Sequence, residues 1–298
     1  MFTFILFGTG WRACYFTRIA KALPQDFSIP AIYTRNSDRL SFIQSLGFNG
    51  TTDMDKALSY PHGEVIIASG PKDLAQTLEY LQNKGETIIT ETSFLSLSDQ
   101  ETTRCNAIEG YVLEQYPYTP LFSAALSLLP LIGKVHEFRL SMLHNHHAAA
   151  MMRKVFPNYK DFNIESVDFE SNITKTDSRE GTCTTGEAQN YTRKMRILKG
   201  DDWLFINDFS TNQYHTHLIP SNFEIRGEKG VITNTGIAYT NEEGLVIKEQ
   251  LKLNNPYPNT SLNDDEIAIV YILNQIIQGK YTYTIQEAIK DALLGRKL

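Results

Sequence analysis

The spacing of apolar residues changes character part-way along the chain. Phe2–Phe7 is a nearly continuous apolar run, which predicts a parallel strand covered on both faces. Trp11–Leu23 follows as a helix, with Phe16, Ile19, Ala20 and Leu23 on one face. Ile29–Tyr33 predicts a second strand; Pro30 is tolerated near its start, where no ladder donor is needed. A helix over Ser37–Leu46 takes Ser37 as its N-cap and has Gly47 just past its end. Val65–Ala68 predicts another strand. Pro71–Lys84 predicts a helix that buries Leu74, Ala75, Leu78 and Leu81 and stops at Gly85. Strands at Thr87–Thr90 and Tyr111–Glu114 flank a helix over Ser98–Ile108. Strands alternating with helices of this length predict βαβ units and a parallel sheet.

The alternation ends near residue 117. A helix over Pro120–Leu129 leads to Gly133. Strands are then expected at Val135–Met142, Ser166–Thr174, Tyr191–Leu198, Trp203–Asn207, Phe223–Arg226, Val231–Asn234 and Leu245–Leu253. Most of them follow one another without a helix between, which predicts antiparallel pairing; a helix over Ala148–Val155 is the exception. Helices over Asp264–Gln278 and Ile285–Leu294 close the sequence. The second opens on the capping-box spacing Thr284-Ile285-Gln286-Glu287. The paired acids Asp201-Asp202 and Asp264-Asp265 fall at a turn and a helix start, where caps and turn residues are expected.

The first strand runs into Gly8-Thr9-Gly10-Trp11-Arg12-Ala13, a G-x-G-x-x-A sequence that opens a helix. In this pattern Gly8 allows the tight turn, Gly10 lets a pyrophosphate approach the backbone, and Ala13 keeps helix and sheet close. The helix N-terminus then offers free N–H groups to the phosphates. At the head of a βαβ series the loop predicts a dinucleotide site. The expected fold is therefore α/β: a Rossmann-type parallel sheet over residues 1–117, then an α+β domain over 118–298 with a large, mostly antiparallel open sheet. At the end of the second strand an NAD site normally carries Asp or Glu, for the ribose 2′-hydroxyl. This chain reads Tyr33-Thr34-Arg35-Asn36 there. A guanidinium suits a 2′-phosphate, so NADP is favoured over NAD, with Arg12 as a second candidate cation. The alternative places Arg35 in solvent or stacked on adenine.

Composition narrows the function classes. With 298 residues, two domains of ~150 are expected. A formal net charge of −6 gives no basic face for nucleic acid or anionic membrane. Cys14, Cys105 and Cys183 are scattered and provide no disulfide framework, as expected of a protein in the reducing cytoplasm. The apolar start has no basic region before it and is too short for a signal peptide; it is expected to be the buried first strand. No stretch approaches the ~18 apolar residues of a membrane span.

Several segments, in order, resemble the glucose-fructose oxidoreductase / inositol dehydrogenase / rhizopine-catabolism (Gfo/Idh/MocA) family. They are Gly8–Ala13, Ala68-Ser69-Gly70-Pro71, Gly85–Glu91, Glu114-Gln115-Tyr116, Ile132-Gly133-Lys134-Val135, Glu224–Gly230 and Tyr283–Ala288. The resemblance implies an NAD(P)-dependent oxidoreductase that moves a hydride between nicotinamide and a small molecule. It implies cofactor contacts at Gly8, Thr9, Gly10, Trp11, Arg12, Thr34, Arg35, Ser69, Gly70, Pro71, Glu91 and Gln115. It also implies a homodimer or homotetramer formed through the open sheet. One departure matters: where the family reads Glu-Lys-Pro, this chain reads Glu91-Thr92-Ser93. Thr92 cannot act as a cationic acid, so the family's lysine role is absent.

Hydride transfer to a carbonyl or imine needs a proton donor, and histidine titrates in the right range. His144-Asn145-His146-His147 lies between a predicted strand and a predicted helix, where the family places a catalytic or substrate-binding histidine. His147 resembles that residue, with His144 second and Tyr116 as a hydroxyl candidate. Arg153 is a candidate for an anionic substrate group, or a helix salt-bridge partner. His144-x-His146 and His215-x-His217 would each put two imidazoles on one strand face, but nothing brings them together, and no metal is expected. Other nucleophile and metal motifs are missing. Two alternatives remain: an NAD(P)-binding sensor without chemistry, for which the missing lysine speaks, and an imine-type reductase, which needs no such lysine.

Overall fold

The computed structural model describes every residue except Pro71, 179–180, 183–185, Thr211, Tyr214, His215, His217 and Pro220, and only the backbone of 177, 178, 181 and 182. Cys183, Pro71 and the His215-x-His217 pair thus lie outside the described residues. Contacts divide the chain into two units: Met1–Pro120 with Asn255–Ala292, and Leu121–Asn254 with Leu293–Leu298.

The first unit is built on β1 (Phe2–Phe7), α1 (Trp11–Ala22), β2 (Phe27–Ser28), β3 (Ile32–Tyr33), α2 (Leu40–Ser45), β4 (Gly50–Thr51), α3 (Met54–Leu58), β5 (Glu64–Ile67), α4 (Leu74–Asn83), β6 (Thr87–Thr90), α5 (Asp99–Asn106) and β7 (Tyr111–Val112). The strand order is β4-β3-β1-β5-β6-β7, with β2 also paired to β1. Every pairing is parallel. This is the doubly wound order, with its switch point between β1 and β5. The apolar run of β1 is explained by its two faces. Phe2, Phe4 and Leu6 enter one core with Phe16 and Ile19 of α1. Ile5 and Phe7 enter another with Leu74, Leu78 and Leu81 of α4.

Local chemistry moved several expected boundaries. The strand expected over Ile29–Tyr33 is shortened to β3, and Pro30, which cannot donate to a ladder, separates it from β2, which lies before the expected range. The helix expected from Ser37 begins as a 3-10 turn, Ser37–Arg39, and Asn36 caps it, its side chain accepting from Asp38 N. The helix expected from Pro71 starts at Leu74. β4 and α3 escaped the sequence pattern because two and five residues are too few for a hydrophobic period to repeat. Ser98 closes a capping box with Glu101 at the start of α5.

The second unit contains α6 (Pro120–Ser127), β8 (Val135–Leu140), α7 (Asn145–Val155), β9 (Asn163–Thr174), β10 (Asp177–Ser178), β11 (Gly181–Thr182), β12 (Ala188–Lys199), β13 (Leu204–Asn207), β14 (Phe223–Gly227), β15 (Gly230–Thr233), β16 (Gly236–Thr240) and β17 (Val246–Gln250). Among the described residues the large sheet runs β17-β16-β15-β14-β8-β13-β12-β9. Only the β8–β13 pairing is parallel. Strand alternation sends Phe138, Leu140, Phe205 and Ile225 into the interior and Arg139 and Arg226 outward. The Gly227–Gly230 pair closes a hairpin between β14 and β15.

The C-terminal helices, α8 (Asp264–Ile277) and α9 (Ile285–Gly295), correct the expected division at residue 117. Ile267, Ile269, Val270, Ile272 and Leu273 of α8 lie in the first unit's core with Phe4 and Phe16. Ile285, Ala288, Ile289 and Ala292 of α9 join its other core. Helical periodicity shows that a face must be buried but not against which sheet. Asn263 and Glu266 form the capping box of α8, so Asn263 caps rather than either aspartate of the 264–265 pair. No helix among the described residues is long and apolar enough to cross a membrane.

Candidate functional site

The glycine loop sits where the switch-point rule expects a ligand. Gly8 ends β1 at φ +132°. A Cβ there would lie 2.7 Å from the Ala68 carbonyl oxygen at the end of β5. Only glycine permits that approach. Gly10 differs: it precedes α1 at φ −76°, and a Cβ there would meet nothing within 4 Å. The protein's own packing therefore leaves Gly10 unexplained, and a group brought against the backbone explains it. Ala13 is buried against the sheet. The first turn of α1 has no acidic residue and no side-chain cap, as an anion-accepting helix end requires. These residues fit a dinucleotide pyrophosphate.

The loop is braced from β3. Thr9 Oγ1 lies 3.3 Å from Thr34 Oγ1, and Thr34 is buried. Arg39 Nη2 donates to the Thr9 carbonyl at 2.9 Å, and its guanidinium sits 4.4 Å from the Phe42 ring centre. Arg39 was not among the candidates read from the sequence; its position four residues after Arg35 was the available signal. Arg35 itself is tied back. Its Nη1 donates to Asp73 Oδ2 at 2.6 Å and to the Lys72 carbonyl at 3.0 Å. Ser69 accepts from Ser93 Oγ at 3.2 Å through its carbonyl, and Gly70 is exposed with open space around it.

Arg12, the second candidate cation, is turned to a carboxylate. Its Nε lies 2.8 Å from Glu91 Oε1, and its guanidinium carbon stands 4.8 Å from the Tyr15 ring centre. That Glu91 oxygen is buried, so the pair is a buried ion pair. Tyr15 donates to Asp265 Oδ2 at 3.3 Å. The neighbouring Arg18 pairs with Glu266. One inward cation thus serves several buried acids because α8 packs beside α1, which the sequence pattern did not reveal. Burial pushes the Glu91 carboxyl above its usual range against the pull of Arg12. Burial likewise raises Asp265, again opposed by Arg12. Tyr15 is pushed up to about 12 by burial and then by Asp265. Glu114 is pushed up to about 8, chiefly by burial.

The remaining first-unit candidates lie just after β7. Gln115 is buried and its Oε1 has no hydrogen-bond partner among the described residues. Tyr116 opens a 3-10 turn rather than ending a strand, with its N–H 3.4 Å from Glu114 Oε1. Trp11 is exposed, its ring 4.8 Å from that of Tyr15.

In the second unit the three histidines gather at the start of α7. His144 is the N-cap residue, and Asn145 takes φ +43°. The rings of His146 and His147 are 4.0 Å apart, and His144 lies 5.4 Å from His147. The expected strand-face placement of His144 and His146 is thus corrected: α7 starts at Asn145, earlier than the apolar pattern suggested. His147 is buried. Both ring nitrogens of His146 are buried without a hydrogen-bond partner among the described residues. Burial, then the charges of His147 and His144, hold His146 well below the usual histidine range. His146 is thus buried with an altered imidazole, although the sequence reading named His147 and His144 instead. Arg153 lies in the last turn of α7. Elsewhere in this unit a cleft of about 560 Å³ is lined by Arg139, Tyr191, Arg193, Asp208, Asn222 and Glu224 among others, and by none of the candidates named above.

Similar architectures occur among solved structures. An oxidoreductase from Agrobacterium radiobacter in complex with NAD+, L-tartaric acid and magnesium superposes with a TM-score of 0.72 at 16% identity, covering 99% of this chain and 94% of the other. A levoglucosan dehydrogenase in complex with NADH gives 0.71 at 16%, covering 99% and 95%. A putative NADPH-dependent oxidoreductase from Desulfitobacterium hafniense gives 0.69 at 12%, covering 99% and 93%. The chain has the fold of these oxidoreductases. No family model and no curated protein sequence matches it.

Proposed function

We propose that the protein is an NAD(P)-dependent oxidoreductase of the Gfo/Idh/MocA type acting on a small molecule. The observation that carries the reading is the glycine loop: Gly8 is forced by the close approach of β5, whereas Gly10 is required by nothing in the protein itself. The fold shared with nicotinamide-dependent oxidoreductases supports it. A bound nicotinamide supplies the hydride chemistry; the chain's own residues bind, orient and handle the proton. Gly8–Ala13 with the α1 N-terminus would take the pyrophosphate, and Thr34, Arg35, Ser69 and Gly70 the flanking groups. His147 is the preferred proton-handling residue, with Tyr116 and His144 as further candidates. The gathering of three imidazoles at one helix start supports a histidine role. The missing lysine at Thr92 favours the second reading, a nucleotide-binding sensor without turnover.

The test is a nicotinamide-fluorescence titration of the protein and of Gly10→Val with NADH and NADPH. The wild type is expected to bind at least one. The variant, whose new side chain meets no protein atom at the Cβ, is expected to melt normally and lose most of that binding. Unchanged binding in Gly10→Val would remove the loop from the site. Turnover against a panel of polyols, hydroxy acids and cyclic imines then separates enzyme from sensor, and its loss in His147→Ala with cofactor binding kept would support the proton assignment. We further propose self-association through the large sheet, where Val167 and Phe169 of β9 are exposed; a monomeric mass in light scattering would refute it.

A further inference from the structure

Arg35 follows β3 and Asp73 follows β5, and both strands neighbour β1 in the sheet. Their ion pair therefore joins the chain just beyond the C-terminal ends of the two strands that flank β1. In this sheet order that is the end where the adenosine ribose is read. Asp73 holds an uncommon backbone conformation there. It takes φ +60° and ψ +19°, a left-handed conformation that L-residues other than asparagine and aspartate rarely adopt. It occupies the N-cap position of α4, where an aspartate ordinarily accepts a bond from the helix's own first turn. Asp73 makes no such bond: its side chain gives no cap, and only its carbonyl accepts, from Thr77 N and Oγ1, each at 2.9 Å. The carboxylate is turned to Arg35 instead. Arg35 and Asp73 are each about half exposed, 44% and 48% of their side-chain surface, so an incoming ligand can reach them.

We propose that Asp73 sets coenzyme selectivity by competing with a ribose 2′-phosphate for Arg35. This inference rests on the nucleotide-binding reading above and supplies the acid that the end of β3 lacks. A ribose 2′-hydroxyl is compatible with the pair, because it can donate to the carboxylate while Arg35 stays where it is. A 2′-phosphate must share the guanidinium with Asp73 and sit close to its carboxylate, which like-charge repulsion disfavours. The arginine that would mark an NADP site is therefore neutralised by an acid contributed from a different loop, 38 residues away in sequence.

The experiment is a fluorescence titration with NADPH and NADH of the wild type, Asp73→Asn, Asp73→Gly and the double variant Asp73→Asn/Arg35→Ala. Asparagine and glycine both tolerate the left-handed backbone, so either variant reports on charge rather than on a broken turn. Asp73→Asn is expected to raise NADPH affinity about fivefold, the scale of a half-exposed charge pair, with NADH changed by less than about twofold. The NADPH gain should disappear when Arg35 is also removed. Equal changes for both nucleotides, no change, or a gain that survives the loss of Arg35 would overturn the proposal. If the wild type binds neither nucleotide, the nucleotide reading itself falls, and this inference with it.

Discussion

At the scale of single residues, the buried charges around α1 decide how the protein answers to pH and mutation. Arg12 is the inward cation between Glu91 and Asp265, and both carboxyls are raised by burial. Removing one partner of a buried pair leaves the other uncompensated, so Arg12→Met should destabilise by about 3 kcal/mol at pH 8. The loss should shrink towards pH 5 as the carboxyls protonate; urea unfolding at the two pH values checks it, and a larger loss at pH 5 would contradict it. Glu114 gives a second sign. Burial pushes its carboxyl up to about 8, above the usual glutamate value of ~4.3. The folded state therefore binds more protons between those values, and stability falls as pH rises through that window. Glu114→Gln should flatten the melting temperature between pH 5 and pH 9, and an unchanged slope would show that another group sets it. Gly8, Gly10 and Ala13 were legible in the sequence because a loop motif is local. The Arg12–Glu91 partnership was not, since it joins residues whose proximity depends on which helix packs beside α1.

Among elements, caps and close approaches fix where the functional residues point. Asn263 accepts from Glu266 N at 2.9 Å, while Glu266 reaches back to Asn263 N and also pairs with Arg18. Asn263→Ala should cost about 1 kcal/mol, measured by chemical unfolding, whereas a change within error would mean that packing alone holds α8. At the other end of the sequence, Gly295 closes α9 against the start of α7: a Cβ there would lie 2.5 Å from His146 N. Gly295→Ala is expected to destabilise by about 1–3 kcal/mol and to shift the imidazole resonances of His146 and His147 in NMR spectra. Unmoved resonances would place the adjustment elsewhere. The strands and most helices of the first 117 residues followed from periodicity, as did the antiparallel sheet. The start of α7 did not, because His144, Asn145 and His146 carry no apolar signal, and so the histidines were assigned to a strand end rather than to a helix turn.

On the scale of the whole molecule, the first unit is discontinuous in sequence. Its core needs Ile269, Val270, Ile272 and Leu273, which the chain supplies more than 130 residues after Pro120. A fragment ending at Pro120 should therefore lack a cooperative melting transition, while the same fragment joined by a short linker to 255–292 should show one. Cooperative melting of the shorter fragment would make α8 dispensable. The division of domains was the least legible feature of the sequence, because amphipathic helices advertise a buried face without naming its partner. The order in which the ribosome releases the chain follows from this arrangement. Domains usually fold from the N-terminus onward as they emerge. Here the segment Leu121–Asn254 of the second unit has left the tunnel before α8 can cover its face of β1. Until α8 arrives, the sheet face to which Phe2, Phe4 and Leu6 contribute stays open on the side that α8 covers, an apolar surface of the kind chaperones bind.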